Sequence, residues 1–253
     1  MAHETKIICN VSGGKDSLAQ ILFIMENRLP CDEVVFYDTG MEFGAIYRIF
    51  EKLQPYLAKR GIKFTVLHPQ NSFLHDMLER PVESKQKGKH NGYGWCGGVC
   101  RWGTTWKTQA LDRHAGDAVQ IIGIAADEQY RRKELTGKKK SLLIENGMTE
   151  ADCPAYCRER GWGWIEETPV TSSGSVDLYD ILDRVSCWCC CNKNQKELRN
   201  IWKYLPQYWE RLKELQSQID RPMKKWENKK YGAYGNVYDM ERVFTQEEKE
   251  KKR

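Results

Sequence analysis

No apolar run in the chain approaches the roughly 20 residues that a membrane-spanning helix needs. The first residues, Met1-Ala2-His3-Glu4-Thr5-Lys6, lack the apolar stretch of a secretory leader. Both absences point to the cytoplasm and to no membrane partner. Charge of one sign is also lacking: 40 Lys and Arg against 35 Asp and Glu leave +5. That balance permits an anionic partner without demanding one. Histidine is scarce, and the five present, His3, His68, His75, His90 and His114, show no metal-ligand spacing. No segment repeats, which excludes solenoids and propellers. Cysteine, by contrast, is plentiful, with ten in 253 residues. In a reducing compartment that number argues for metal binding or redox chemistry rather than disulfides.

The hexapeptide Ser12-Gly13-Gly14-Lys15-Asp16-Ser17 carries the most information. An apolar run, Ile7 to Val11, precedes it and reads as a buried strand. Leu18, Ile21, Leu22 and Met25 follow at helical spacing. A strand, a glycine turn and a helix start together make an anion site. Glycine lets the backbone approach closely, and the free N–H groups of the new helix face the negative charge. Lys15 adds a point charge, Ser12 and Ser17 add hydroxyls, and Asp16 suits the helix dipole or a Mg²⁺ ion. A Walker A loop needs four residues between its first glycine and its Gly-Lys pair, so this loop is of another kind.

Along the chain, strand and helix patterns alternate. Strands are expected at Glu33–Tyr37, Lys63–His68, Ala118–Ala125 and Leu142–Ile144. Helices are expected at about Ala45–Lys59, Phe73–Leu78, Thr104–Arg113 and Thr149–Arg160, with polar loop from Arg80 to Tyr93. Alternation of this kind gives an α/β fold with a doubly wound parallel sheet, Rossmann-like, with ligands at the carboxyl ends of the strands. Asn194 to about Gln218 reads as helix with an apolar stripe, kinked or split at Pro206. The stripe is read as packing on the sheet or on a second copy in a homodimer. The organisation expected is a nucleotide-binding domain with a cysteine cluster over 1–192 and a C-terminal helical, basic extension over 193–253.

The Ser12–Ser17 loop resembles the PP-loop of the ATP pyrophosphatases, in the adenine nucleotide alpha-hydrolase-like superfamily. Three further segments extend the resemblance: Asp38-Thr39-Gly40-Met41-Glu42-Phe43, Gly123 to Glu128 with Arg131-Arg132, and Arg184 to Cys190. In this order, over about Lys6 to Leu215, they resemble the phosphoadenosine phosphosulfate (PAPS) reductase family. The resemblance implies that Ser12, Gly13, Gly14, Lys15, Asp16 and Ser17 cradle the phosphates of ATP or a related adenine nucleotide. Asp38, Thr39, Gly40 and Glu42 would line the same cleft, and Gly123, Ile124 and Ala125 would pass near the adenine. Lys15, Asp16 and Asp38 are the expected catalytic residues, acting with Mg²⁺. Arg131 and Arg132 would pair with phosphate or sulfate, or simply belong to a solvated basic loop with Lys133 and Lys138 to Lys140. One departure stands out. The family's reductases carry a cysteine in a Glu-Cys-Gly-Leu-His motif near the C-terminus, and this chain has no cysteine after Cys191.

Cys96 and Cys100 form one close pair and Cys187 and Cys190 a C-x-x-C. Two such pairs far apart in sequence are how a chain builds a four-thiolate site from two loops. Cys189 and Cys191 crowd the second pair, which leaves the partner of Cys187 open. Some sulfonucleotide reductases, tRNA thiolation enzymes and DNA phosphorothioation enzymes join a PP-loop domain to an iron–sulfur cluster. That resemblance favours a 4Fe–4S cluster, while zinc fits the same ligands. Cys153 and Cys157, four apart on an expected helix, share one face as core or as a second redox pair.

Ser84 to His90 is rich in lysine, and Pro222 to Tyr234 interleaves lysines with Trp226, Tyr231 and Tyr234. Lysine with aromatics suits single-stranded nucleic acid, and equally a solvated face with its rings turned inward. The function expected is AMP-forming cleavage of the α–β phosphate linkage that supports sulfur transfer to an acceptor. A nucleic acid is the candidate acceptor and a protein the candidate sulfur donor. The alternatives are a sulfonucleotide reductase releasing sulfite, and a nucleotide- or nucleic-acid-binding module with structural zinc.

Overall fold

The computed structural model describes residues 5–85 and 88–251. Residues 1–4, two positions of the lysine-rich run (86 and 87) and the last two of the charged tail lie outside the described residues. Two compact units are present, one of residues 1–69 and 102–164, the other of residues 70–101 and 165–253. Residues 193–253 therefore share a unit with both cysteine segments.

The first unit holds a five-stranded sheet. Its strands are β1 (Ile7–Asn10), β2 (Glu33–Tyr37), β3 (Lys63–Leu67), β4 (Val119–Ile122) and β5 (Lys139–Lys140). All are parallel, in the order β3-β2-β1-β4-β5. Among the described residues it has five α-helices: α1 (Lys15–Glu26), α2 (Gly44–Ala58), α3 (Lys107–Ala115), α4 (Leu142–Glu145) and α5 (Asp152–Glu159). Every residue of β2 is buried because both of its faces are covered. Val35 packs with Ile8, Ala115 and Ala118 on one side. On the other, Phe36 stacks on Phe50 of α2 with ring centroids 4.0 Å apart. This is the doubly wound α/β arrangement that the alternating pattern predicts. The chain leaves β1 toward β2 on one side, and β4 lies on the other. The order thus reverses between β1 and β4, the place at whose carboxyl ends open α/β sheets take their ligands. Residues 11–17 and 123–128 follow those two ends.

Differences from the sequence reading are local. Leu142–Ile144 is helix, not strand, because Ser141 caps it: its Oγ accepts from the Ile144 N–H at 3.5 Å. The strand that joins the sheet lies just before, at Lys139–Lys140. Arg80–Tyr93 is not plain loop, since Pro81–Ser84 pairs with Gly88–Asn91 as an antiparallel hairpin.

The second unit is mainly helical, with α6 (Leu178–Ile181), α7 (Gln195–Tyr204), α8 (Pro206–Ser217) and α9 (Val237–Lys251). Pro206 splits the expected long helix cleanly, with Leu205 out of helical geometry at φ −132°, ψ 59° between the halves. The apolar stripe of α7 and α8 is covered by α9: Trp202 and Trp209 each lie 5.9 Å from the Phe244 ring. Two further hairpins, Ile165–Glu167 with Ser175–Asp177 and Trp226–Asn228 with Gly232–Tyr234, complete the unit.

Candidate functional site

The phosphate-loop candidate is built by tight backbone geometry. Gly13 has φ +78° and its carbonyl accepts from the Trp164 indole at 2.7 Å. A side chain there would also meet Ile46 Cγ2 at 2.8 Å. Within the loop, Ser17 Oγ accepts from the Ser12 N–H at 3.1 Å and donates to the Gly14 carbonyl at 3.0 Å. Gly14 is the N-cap of α1, and no side chain caps this helix start. Lys15 follows, only 9% exposed. Its Nζ donates to Asp16 Oδ1 at 2.7 Å and to Glu150 Oε1 at 3.1 Å. Burial opposes the Lys15 charge, yet the two carboxylates outweigh it and leave its pKa raised. Asp16 is also raised, first by burial and then by the charge of Glu128, against the pull of Lys15.

Gly123 sits directly against this helix start. A Cβ there would lie 2.7 Å from the Ser17 nitrogen and 2.8 Å from its Cα. The close approach of two backbones is what places the β4 end beside the loop. The next backbone groups are already engaged. The Ile124 carbonyl accepts from Ser141 Oγ at 2.6 Å, and the Ala125 N–H donates to Glu128 Oε2 at 3.1 Å. Glu128 in turn binds Arg131 Nη1 at 3.1 Å, while the Nε of Arg131 reaches Glu134 at 3.1 Å. Arg131 is thus braced between two carboxylates. Arg132 Nη2 donates to the Ala126 carbonyl at 3.3 Å.

After β2, Asp38 closes its own turn. Its Oδ1 accepts from the Gly40 N–H at 2.7 Å and from the Tyr47 hydroxyl at 2.9 Å. Gly40 has φ +75°, as that turn requires. Thr39 Oγ1 donates to Glu42 Oε1 at 3.2 Å. Cys153 and Cys157 are fully buried on α5. The Cys157 thiol donates to the Lys15 carbonyl at 3.7 Å, and burial pushes its pKa up to about 12. Both thiols therefore back the start of α1 as core groups. Glu150, Glu128, Tyr47 and Trp164 are supports that the sequence did not single out. Glu128 alone had a signal, as the last residue of the Gly123 segment.

In the second unit, one asparagine clasps the two cysteine segments together. Gly98 N–H donates to Asn192 Oδ1 at 2.8 Å, and Asn192 Nδ2 donates to the Gly98 carbonyl at 2.8 Å. The C-x-x-C is a tight turn in which the Cys190 N–H donates to the Cys187 carbonyl at 3.0 Å. Cys190 Sγ accepts from the Asn192 N–H at 3.4 Å. Cys96, Cys100, Cys187 and Cys190 are all half-buried, whereas Cys189 and Cys191 are buried. A hydrogen bond from Cys100, joined by Arg101 and opposed by burial, pushes the Cys96 thiol down to about 5. Burial pushes Cys191 the other way, to about 12. Lys193 is 2% exposed, with Nζ 3.0 Å from Ser186 Oγ; burial lowers its pKa, and Cys190 and Glu197 oppose that shift.

Among the described residues, no three His, Cys, Asp or Glu side chains converge as a metal-binding group. The donor chemistry of the two segments nonetheless fits a thiolate-bound group. Beside the two pairs stand buried donors with no partner, the indole nitrogens of Trp95 and Trp188 and the Nε of Arg101. Buried N–H groups in such positions commonly serve the sulfurs of metal–thiolate centres.

A family model described as the phosphoadenosine phosphosulfate reductase domain matches residues 6–146. A protein of Methanocaldococcus jannaschii, described as uncharacterized, is 24% identical over 203 residues. That stretch is 79% of this chain and 39% of the relative, so the chain spans about two fifths of the relative's length. Among solved structures, the U34-tRNA thiolase NcsA of Methanococcus maripaludis, with its 4Fe–4S cluster, shares 14% identity at a TM-score of 0.43. The likeness covers 64% of this chain and 59% of that one.

Proposed function

Since the chain belongs to the phosphoadenosine phosphosulfate reductase domain family, we propose that it binds ATP or a related adenine nucleotide on the Ser12–Ser17 loop and cuts the α–β phosphate linkage. The observation that carries this reading is the uncapped start of α1, with a buried Lys15, at the point where the strand order reverses. An acceptor oxygen forms a bond to the α phosphorus, the bond to the bridging oxygen breaks, and pyrophosphate leaves with the electron pair. A sulfur nucleophile then bonds to the acceptor carbon and AMP departs.

The loop N–H groups and Lys15 stabilise the charge that grows on the leaving pyrophosphate. Lys15 turns from Asp16 and Glu150 toward phosphate, which leaves those carboxylates to hold Mg²⁺, a cation that prefers oxygen ligands. When bound, Mg²⁺ would neutralise phosphate charge. Asp38 and Glu42 shape the neighbouring turn, and Gly123 lets the β4 end pack directly on the first turn of α1. Ile124 and Ala125 are fully buried, with Ile124 O and Ala125 N already used by neighbours, so they support the adenine side of the site from beneath rather than touch the ring. Arg132 is the nearer candidate for an anion, as Arg131 is held by Glu128 and Glu134.

Cys96, Cys100, Cys187 and Cys190 would hold a 4Fe–4S cluster, or zinc on the same thiolates, and such a cluster would supply sulfur-handling chemistry. Trp95 and Trp188 would donate to its sulfurs. A nucleic acid is the proposed acceptor and a protein the proposed sulfur donor.

The test is nucleotide binding and pyrophosphate release by Lys15→Ala. We expect a loss of about 100-fold or more, the usual effect of removing a charge-stabilising donor. Unchanged pyrophosphate release by that variant would refute the phosphate-loop reading. Iron and acid-labile sulfide on protein purified without oxygen separate the metal readings: about four of each per chain supports the cluster, and zinc alone removes it.

A further inference from the structure

The hairpin Trp226–Asn228 with Gly232–Tyr234, together with the segments on either side of it, lines a shallow depression of about 510 Å³ that is open to solvent. That volume lies within the range of small-molecule sites, about 300–1,000 Å³. Its construction is specific. Gly235 runs so close to the preceding segment that a Cβ would lie 2.0 Å from the Lys224 carbonyl oxygen, and the Lys224 N–H donates to the Gly235 carbonyl at 3.0 Å. Lys224 is thereby pinned, with Nζ 5.7 Å from the Trp226 ring centroid. Tyr234 forms a fixed wall. It is buried, its hydroxyl accepts from Gln195 Nε2 at 2.5 Å, and its ring meets Trp226 edge-on at 5.7 Å. Trp226 itself is half-buried, so part of its indole faces the depression.

The polar lining has two signs. Lys224 and Lys225 make no ion pair among the described residues. Lys230, farther along the hairpin, is already taken by Glu250. Glu227 and Asp239 also line the depression. Asn236 lines it too, with its Oδ1 used by the Tyr238 N–H at 2.9 Å and its amide N–H groups left to donate. A bare anion such as phosphate or sulfate would suit the lysines but be repelled by the two acids. A plain aromatic would suit Trp226 but leave Lys224, Lys225 and Glu227 without a counterpart, whereas Asp239 Oδ1 already pairs with Arg242 Nη2 at 3.7 Å. A ligand that satisfies every wall is flat, carries N–H donors on one edge, and bears an anionic group.

We infer that this depression is a second nucleotide-binding site, which takes one nucleotide unit with its base on Trp226, base N–H donors toward Glu227 and Asp239, and phosphate on Lys224 and Lys225. It shares no residue with the Ser12–Ser17 loop and does not rest on the reading of that loop. The unit can come from a free mononucleotide or from a single strand, and the two sources share this chemistry.

The experiment uses the full chain carrying Lys15→Ala, so that nucleotide on the first loop does not mask the second site. The probes are 5′ mononucleotides, inorganic phosphate, and labelled single-stranded RNA and DNA oligonucleotides, each titrated at two salt concentrations. In that background, Trp226→Ala should weaken binding about 5- to 100-fold, the usual range for one stacked base. Lys225→Ala, an exposed change that cannot unfold the hairpin, should reduce the salt dependence of oligonucleotide binding by about one phosphate contact. Tighter binding of mononucleotides assigns the free ligand, and tighter binding of oligonucleotides assigns the strand. The proposal falls if no nucleotide probe binds, if inorganic phosphate binds as well as the nucleotides do, or if Lys225→Ala and Trp226→Ala bind like their parent. Loss of ATP binding in the Lys15→Ala parent bears only on the first loop.

Discussion

Gly123 shows how a single missing side chain places a site. Its backbone lies against the first turn of α1, and a methyl group at 2.7 Å from the Ser17 nitrogen has nowhere to go. Gly123→Ala should therefore cost about 1–3 kcal/mol of stability, as overpacking does, and weaken nucleotide binding as the loop shifts. Denaturant unfolding and a nucleotide titration would check both. Glu33 poses the opposite problem, a fully covered carboxylate. Burial alone would raise its pKa, but Lys6, Thr65, Lys63 and His114 all bond to it and push it down to about 2. An unfolded glutamate titrates near 4.3. The folded state thus binds fewer protons between those values, and stability gained there is full above about pH 4.3 and lost as pH falls toward 2. The contribution is roughly 2–3 kcal/mol. Thermal midpoints measured from pH 2 to 7 should drop on the acid side, and Glu33→Gln should flatten that drop. The loop residues were legible because glycine, lysine and serine at that spacing have few other uses. Glu150 was not, since it reaches Lys15 from 135 positions away with no local pattern to mark it.

Among the elements, α7 has the clearest start signal. Asn194 Oδ1 accepts from the Glu197 N–H and Glu197 Oε2 accepts from the Asn194 N–H, each at 2.9 Å. This capping box follows the cysteine run directly. Asn194→Ala should cost about 1 kcal/mol, read as a lower denaturation midpoint with an unchanged slope. Strongly periodic helices and the buried strands β1 and β2 were readable from apolar spacing. Short elements were not. Leu142-Leu143-Ile144 has the same composition as a strand, and only the Ser141 cap makes it a helix. The last helix, α9, was hidden by its charge, because Val237, Met240, Val243 and Phe244 are its few apolar residues and all are buried.

For the molecule as a whole, a doubly wound parallel sheet was implied once βα units were seen, but the division into two units was not. The second unit is assembled from two stretches, residues 70–101 and 165–253, and nothing in composition marks 69 or 164 as a boundary. The Asn192 clasp joins those stretches where each carries a cysteine pair. A metal bound there would close a long loop, which is where such a link stabilises most. Chelation should lower the thermal midpoint, and Asn192→Ala should make metal loss faster, both read by metal content against temperature. Unchanged stability after complete metal removal would show that the thiolates do not hold the two stretches together.

The same discontinuity sets a timetable for synthesis. Cys96 and Cys100 leave the ribosome first, and residues 101–186 must be made before Cys187 and Cys190 exist. At about 5–20 residues per second, that gap lasts roughly four to seventeen seconds. Through that interval Cys96 has not yet met the Cys100 and Arg101 geometry that pushes its thiol down to about 5 in the finished fold, so it waits as an ordinary thiol, protonated for the most part and less reactive than the thiolate it becomes.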